Sequence, residues 1–396
     1  MTDDLGAIDS RILIRLPNIN KLFLQAGLTF DEYYGETPLC CPGRAEFLTG
    51  QHVRTNGVVR NDARLLDPSN TVATALHEAG YQTAFIGKYL NHSEMLTDKT
   101  PPGWDHAAMA IYGDMTPSAS ATASSWFIDG TPATEGYPDR FLVDDSAQWI
   151  DSLDPSRPFF LWATPKAPHW GPTRGEWWLP DIEAKYVDDP RCRGIEPWQP
   201  PSYSFSEAPS GWPLSAICDS MLTVDDLVGN LVTQLTDDGR IDNTVFVLTT
   251  DNGMAWGQHG FPLKNNPYAA QMPLYFAGKG IVPGVTAALE SNIDLGPTLA
   301  ALAGTTMPEA QGTSFADSLV DPSLPGQPWI LEDEPTSQYT DGPWRSKWWA
   351  IRTPEWYLLE RGSLAPLLYD VTSDPWLEAP VTNAKVMSQL LALYPY

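Results

Sequence analysis

Apolar positions follow a repeated order along much of the chain. A stretch at helical spacing leads to a short continuous apolar run, and then to a loop of unusual polar residues. Asp67, Pro68 and Ser69 read as a helix start, Thr71 to Ala79 as the helix, Gly80 as its stop and Tyr81 to Ile86 as a strand. Phe141 to Leu153 predicts another helix, and Pro158 to Ala163 a buried strand. In Met221 to Leu235, Leu222, Val224, Leu227, Val228, Leu231, Val232 and Leu235 recur at helical spacing, and Gly239 ends the segment. Thr244 to Thr250 follows as a β-branched strand. Such runs suit a parallel sheet covered on both faces, and their alternation with helices predicts an open α/β fold.

Toward the C-terminus the pattern changes. Residues Asp321 to Pro328 are rich in Pro and Gly, which divides the chain into an α/β domain over 1–325 and a small α+β unit over 326–396. In the second unit Ser346 to Arg352 and Trp356 to Glu360 read as a hairpin, and Thr382 to Leu393 as a terminal helix. A hairpin needs one face covered, so Trp344, Trp348, Trp349, Trp356 and Tyr357 are expected to pack on the main domain. Trp104 to Pro138 and Trp170 to Trp212 read as long irregular insertions of the kind that shape a pocket.

Charge narrows the partners. Among 396 residues, 24 Lys and Arg face 49 Asp and Glu, a formal charge of −25. A chain this acidic excludes nucleic acid and anionic membrane surfaces as partners of the whole molecule. Its apolar runs are too short to give a membrane span. Cys40, Cys41, Cys192 and Cys218 have no zinc spacing. Cys192 and Cys218 are either bridged, in an oxidising compartment, or unpaired.

The candidate chemistry sits where strands end, which is where ligands bind in open α/β sheets. Three predicted strands run into Asp251-Asn252-Gly253, Gly87-Lys88-Tyr89 and Lys166-Ala167-Pro168-His169. Asp251 with Asn252 forms a hard oxygen pair suited to calcium or magnesium. In Pro38-Leu39-Cys40-Cys41-Pro42-Gly43-Arg44, Pro42 reads as the first helical residue and Gly50 as the stop. Cys40 then lies at a helix N-terminus, which favours a deprotonated nucleophile, with Arg44 folding back toward it.

Cys-x-Pro-x-Arg followed by Leu48-Thr49-Gly50 resembles the signature of the type I sulfatases of the alkaline phosphatase superfamily. The likeness extends, in order, through Thr2-Asp3-Asp4, Leu16-Pro17-Asn18, Gly87 to Asn91, Ala167-Pro168-His169, Asp251 to Gly253 with His259 and Lys264, and Leu368-Tyr369-Asp370. Pro-Leu-Cys-Cys-Pro with Gly-Lys-Tyr-Leu-Asn is most similar to N-acetylglucosamine-6-sulfatases and heparan endosulfatases. The resemblance implies a mixed, mostly parallel sheet flanked by helices, with a small C-terminal antiparallel sheet plus helix. It implies that a formylglycine-generating enzyme converts Cys40 to formylglycine, whose hydrated aldehyde attacks the sulfur of a sulfate ester. It also implies that Asp3, Asp4, Asp251, Asn252 and the modified Cys40 hold calcium, or magnesium. Arg44, Lys88 and Lys264 would surround the sulfate, His169 would protonate the leaving alcohol, and His259 would bind substrate or support the metal loop. The implied substrate is a sulfated carbohydrate such as N-acetylglucosamine-6-sulfate, or a small sulfate ester, and the acidic surface suits a small sulfated sugar better than a long glycosaminoglycan chain.

Three departures qualify the likeness. Gly43 stands where the family usually has Ser or Ala, and Leu90 where it often has His, which leaves Asn91 or His92 as substitutes. Met1 and Thr2 come directly before Asp3, where the family has an apolar central strand. The expectation is a fragment, or a chain begun at a late start site, with two carboxylates on a free end and a gap in the sheet. Its full-length form would be exported to the periplasm or outside the cell. The competing readings are a phosphodiesterase or phosphonate monoester hydrolase of the same superfamily, and a truncated, silent protein that binds sulfated glycans.

Overall fold

A computed structural model describes residues 1–7, 10–111, 124–171, 176, 178–336 and 347–396. Its centre is the buried strand Gln82–Gly87, which pairs in parallel with His106–Ala110 on one side and Phe159–Thr164 on the other. Ser124–Ile128 and Thr131–Glu135 continue this sheet in antiparallel fashion. The segment from Trp104 to Pro138 is therefore not simply an irregular insertion, because its described part supplies three strands. A second sheet runs in the order Gly284–Thr286, Leu28–Phe30, Leu274–Gly278, Val245–Thr249. Val245–Thr249 pairs antiparallel with Leu274–Gly278, so its continuous apolar run reflects burial rather than a wholly parallel setting.

Strand alternation sends side chains to two cores. Ala84 and Ile86 pack with Leu142, Ile150, Leu227 and Leu235 of the helices Pro138–Ser152 and Leu214–Asp237. Phe85 and Trp162 pack with Phe47, Leu76 and Leu295 of the helices Cys40–Thr49, Val72–Glu78 and Asn292–Leu302. Cys192 and Cys218 form a disulfide that ties the loops before Leu214 to the helix Leu214–Asp237.

The chain end is not loose. The Met1 amine donates to the Ala163 carbonyl at 2.9 Å, and the Thr2 N–H to the Thr249 carbonyl at 2.8 Å. Asp251 N–H returns to the Thr2 carbonyl at 3.2 Å, and Asp3 N–H reaches the Ala167 carbonyl at 3.1 Å. Residues 1–3 thus lie between the facing edges of the two sheets, and Asp3 and Asp4 are buried there. The expected pair of carboxylates on a free end is corrected by these four hydrogen bonds.

The C-terminal sheet has four antiparallel strands, Ile330–Glu334, Trp348–Arg352, Trp356–Arg361 and Leu364–Asp370, and carries the helix Ala384–Leu391. Trp348 and Tyr357 pack with Tyr268 of the main body, whereas Trp349 and Trp356 lie under the terminal helix, with Trp349 stacked on Tyr394 at 4.0 Å. Trp344 lies outside the described residues.

This sheet meets the helix Cys40–Thr49 through an acidic seam. Asp333 N–H donates to the Glu36 carbonyl at 2.9 Å, Thr37 Oγ1 donates to the Asp333 carbonyl at 2.8 Å, and Arg54 pairs with the Asp333 carboxylate. Glu46 accepts from Asn292 Nδ2 at 2.6 Å through Oε2, while its Oε1 is buried without a partner. Burial and the neighbouring Glu36 push Glu46 up to about 8, and burial pushes Glu334 up to about 7. Glu36 is also raised by burial and His52 lowered by burial, so burial disfavours the charged form of both partners in their 3.0 Å contact.

The same helix approaches the loop after Val245–Thr249 very closely. All of Cys40–Thr49 is buried, and a Cβ at Gly43 would lie 2.0 Å from the Asp251 carbonyl oxygen. Helix propensity favours Ala over Gly by about 1 kcal/mol, but overpacking a rigid site costs about 1–3 kcal/mol. The backbone clash wins.

Gly43→Ala is expected to lower the melting temperature, because the Asp251 carbonyl must move. An unchanged melt would refute the tight approach. Glu46 is held neutral by the fold, so its contribution is present below its ordinary value of 4.5 and lost as pH rises through about 8. Glu46→Gln should therefore melt about 2 °C above the parent chain at pH 8 and level with it at pH 4.5. Parallel pH profiles for the two chains would contradict this assignment.

Candidate active site

The ends of four chain segments converge on Cys40. Gly87 takes a φ of 117°, and a Cβ there would lie 2.2 Å from the Thr164 carbonyl, so only glycine lets the strand turn Lys88 inward. Thr250 Oγ1 accepts the Leu5 N–H at 3.0 Å, and Asp251 Oδ1 accepts the Asp4 N–H at 3.1 Å, which locks the Asp3-Asp4 segment to the Asp251 loop. Asp4 itself sits in the left-handed region, at a φ of 67°. The turn Lys166-Ala167-Pro168-His169 continues from Phe159–Thr164 and brings its imidazole to the same place.

Cys40 is the first residue of its helix, so the helix starts two residues before the expected Pro42. Asn61 Oδ1, from a loop 20 residues away, accepts the Cys41 N–H at 2.9 Å and caps the helix. Sequence reading missed Asn61 because no local pattern marks a cap supplied from so far along the chain.

Around the Cys40 thiol the charges alternate. Lys264 Nζ lies 2.8 Å from Cys40 Sγ and also contacts Asp4 Oδ1. Lys88 Nζ is 2.7 Å from Asp3 Oδ2 and 4.0 Å from Asp251 Oδ2. Arg44 is fully buried, with Nε 2.9 Å from Asp251 Oδ2 and Nη1 2.5 Å from the Lys88 carbonyl. Three cations thus face the three carboxylates of Asp3, Asp4 and Asp251, and the knot is formally neutral. Lys88 holds Asp3 well below the ordinary carboxylate range against its burial, and Lys264 lowers Asp4 against its burial. Lys88 and Lys264 are in turn held above their ordinary values by these carboxylates, which outweigh the burial.

The thiol behaves differently from the expectation for a helix N-terminus. Burial pushes Cys40 up to about 11, and the nearby lysines only partly offset it. The expected deprotonated thiol is corrected to a neutral one, because desolvation outweighs the helix end and the cations.

His169 Nε2 lies 3.5 Å from Asp4 Oδ2, and Nδ1 lies 3.1 Å from the Trp170 carbonyl. A carbonyl only accepts, so Nδ1 carries a proton and Nε2 is the atom that titrates. Burial lowers the His169 pKa more than Asp3 and Asp4 raise it. Trp170 is 44% exposed, and its ring lies 5.3 Å from that of His169.

Ligand atoms of Asp3, Asp4, Cys40 and His169 all lie within 4.8 Å of one another. Asn252 donates to Asp4 Oδ1 at 2.8 Å, while its own Oδ1 is buried without a hydrogen-bond partner. Clustered carboxylates with an orphaned amide oxygen fit a hard divalent cation.

The structure does not bring His259 to this cluster. Its ring lies 4.3 Å from Tyr268, and its Nε2 lies 3.3 Å from Glu378 and 3.4 Å from the Trp376 carbonyl, so it fastens the C-terminal unit. Asn91 N–H points at Cys41 Sγ at 3.0 Å, and His92 lies beside Glu94 at 3.3 Å.

N-acetylglucosamine-6-sulfatase of Capra hircus is 28% identical over 334 residues, which cover 76% of this chain and 59% of that protein. The chain therefore spans little more than half the length of that relative. The extracellular sulfatase SULF-1 homolog of Drosophila melanogaster is 26% identical over 351 residues, 78% of this chain and 30% of that protein. A solved structure in complex with its substrate D-glucosamine-2-N,6-O-disulfate has the same fold, with a TM-score of 0.76 at 21% identity over 99% of this chain and 95% of that one. No helix among the described residues is long and apolar enough to cross a membrane. The sulfatase family model matches residues 1–305, and the chain belongs to the sulfatase family.

Proposed function

We propose that this chain hydrolyses sulfate esters of sulfated sugars, with a 6-sulfated glucosamine unit as the natural type of substrate. The observation that carries the reading is Cys40 at the centre of a neutral buried knot of Arg44, Lys88 and Lys264 with Asp3, Asp4 and Asp251. A neutral thiol is a poor nucleophile, so residue 40 would act as the formylglycine that a formylglycine-generating enzyme makes of it rather than as a thiol. When bound, calcium held by Asp3, Asp4, Asp251, Asn252 and residue 40 would supply charge to polarise a sulfate, and formylglycine the attacking oxygen.

The chain's own residues then have distinct tasks. Lys88 and Lys264 exchange contacts with Asp3 and Asp4 for contacts with sulfate oxygens, and so offset charge as the ester bond breaks. Arg44 keeps Asp251 and the Lys88 backbone in place. Protonated His169 Nε2 gives its proton to the leaving alcohol, while Nδ1 stays on the Trp170 carbonyl. Exposed Trp170 offers an apolar face to a sugar ring beside that proton. The Cys192–Cys218 bridge and the extracellular relative support a protein working outside the cytoplasm.

The test begins with the tryptic peptide Leu22 to Arg44, from protein made with a formylglycine-generating enzyme. Its mass should fall by the thiol-to-aldehyde difference. Calcium-loaded protein should then release sulfate from glucosamine-6-sulfate, and Cys40→Ala should abolish release. His169→Ala should lower kcat by about 10²–10⁴-fold for the sugar and far less for an aryl sulfate. Two plain thiols with no sulfate release would refute the reading. Faster turnover of an aryl phosphonate would assign the site to phosphonate esters instead.

A further inference from the structure

The His169 turn is held by a carboxylate that lies outside the charged knot. Asp139 is the second residue of the helix Pro138–Ser152 and is buried. Its Oδ1 accepts the Lys166 N–H at 2.7 Å, and its Oδ2 accepts the Ala167 N–H at 2.9 Å. Both oxygens of one carboxylate are thus used on two consecutive peptides.

Those peptides lead in two directions. The carbonyl of Ala167 accepts the Asp3 N–H at 3.1 Å, so the same residue docks a candidate metal ligand. The carbonyl of Lys166 accepts the His169 N–H at 2.8 Å and closes the turn that presents the imidazole. From the far side, Asp181 N–H donates to the His169 carbonyl at 3.1 Å, and Lys166 Nζ lies 3.3 Å from Asp181 Oδ2. Ser220 Oγ donates to the Asp181 carbonyl at 2.6 Å, which fixes that side to the helix Leu214–Asp237.

Asp139 meets opposing pressures. A helix N-terminus favours a carboxylate, and two N–H donors favour it further. Burial opposes them and pushes its pKa up to about 7. A buried group under such a cost invites a reason beyond filling space. A hydrophobic side chain would leave two buried N–H groups unpaired, each bearing the full cost of its lost hydration. Asparagine can accept only one of the two and turns a donor toward the other.

We propose that Asp139 is a positioning residue for the reaction, holding the Lys166-Ala167 peptides so that their turn presents His169 Nε2 to the leaving group. It lies outside the charged knot and acts through the turn. The proposal rests on the reading of His169 as the proton donor to the leaving group.

The experiment uses the full chain, loaded with calcium and modified at residue 40, and a series of aryl sulfates whose phenols differ in acidity. Asp139→Asn should lower kcat by about 10–10²-fold for the least acidic phenol and little for the most acidic, with KM nearly unchanged. His169→Ala should show the same dependence, and adding Asp139→Asn to it should not steepen it further. Amide exchange by mass spectrometry should show faster exchange at Lys166 and Ala167 in Asp139→Asn. Asp139→Ser, which removes the buried charge but keeps one acceptor, serves the same comparison if the asparagine variant melts early.

An equal loss for every phenol, repeated undiminished in the His169→Ala background, would overturn the proposal and leave Asp139 a merely structural residue. Exchange and rates matching the parent chain would overturn it as well. If the parent chain releases no phenol from any sulfate, the functional reading fails instead. In that case the exchange comparison alone still decides whether Asp139 holds the turn.

Discussion

Arg44 and Lys88 are charged groups with almost no contact with water, Lys264 is half-buried beside them, and the rest of the site follows from that cost. An unpaired buried ion loses several kcal/mol of hydration, so each cation requires a carboxylate within reach. Asp3, Asp4 and Asp251 meet that requirement from distant parts of the sequence. The pairing draws the first residues of the chain between two sheets that otherwise share no strand. Lys88 and Lys264 occupy the Asp3 and Asp4 carboxylates.

The helix Cys40–Thr49 transmits this constraint outward. One side of it touches the Asp251 loop so closely that only glycine fits at residue 43. Another side carries Glu46 into the acidic seam, where Glu36, Asp333 and Glu334 come from the opening loop and the C-terminal sheet. Burial raises Glu36, Glu46 and Glu334 there. The C-terminal unit is thus joined to the helix Cys40–Thr49 by groups whose charge depends on pH, while the knot around Cys40 keeps its charge by pairing.

Much of the α/β frame was legible along the chain. The helices Val72–Glu78, Pro138–Ser152 and Leu214–Asp237, and the strands that precede or follow them, announce themselves by local spacing and by Gly or Pro at their ends. The outer strands of the C-terminal sheet were not legible. Ile330–Glu334 ends in three acidic residues that no hydrophobic pattern would send inside. The short strand Leu28–Phe30 is likewise too brief to show a period.

At the site, sequence alone determined the chemical vocabulary: Cys40 at a helix start, Lys88, His169 and Asp251 at strand ends, and an Asp-Asp pair at the beginning. Only the tertiary structure decided how these residues are used. It buried the Cys40 thiol and kept it neutral, sent His259 to Glu378, and supplied Asn61 and Asp139 as supports. The physical reason is the range of each effect. Helical and strand periods arise from neighbours a few positions away, whereas desolvation and charge pairing depend on whatever the fold brings alongside.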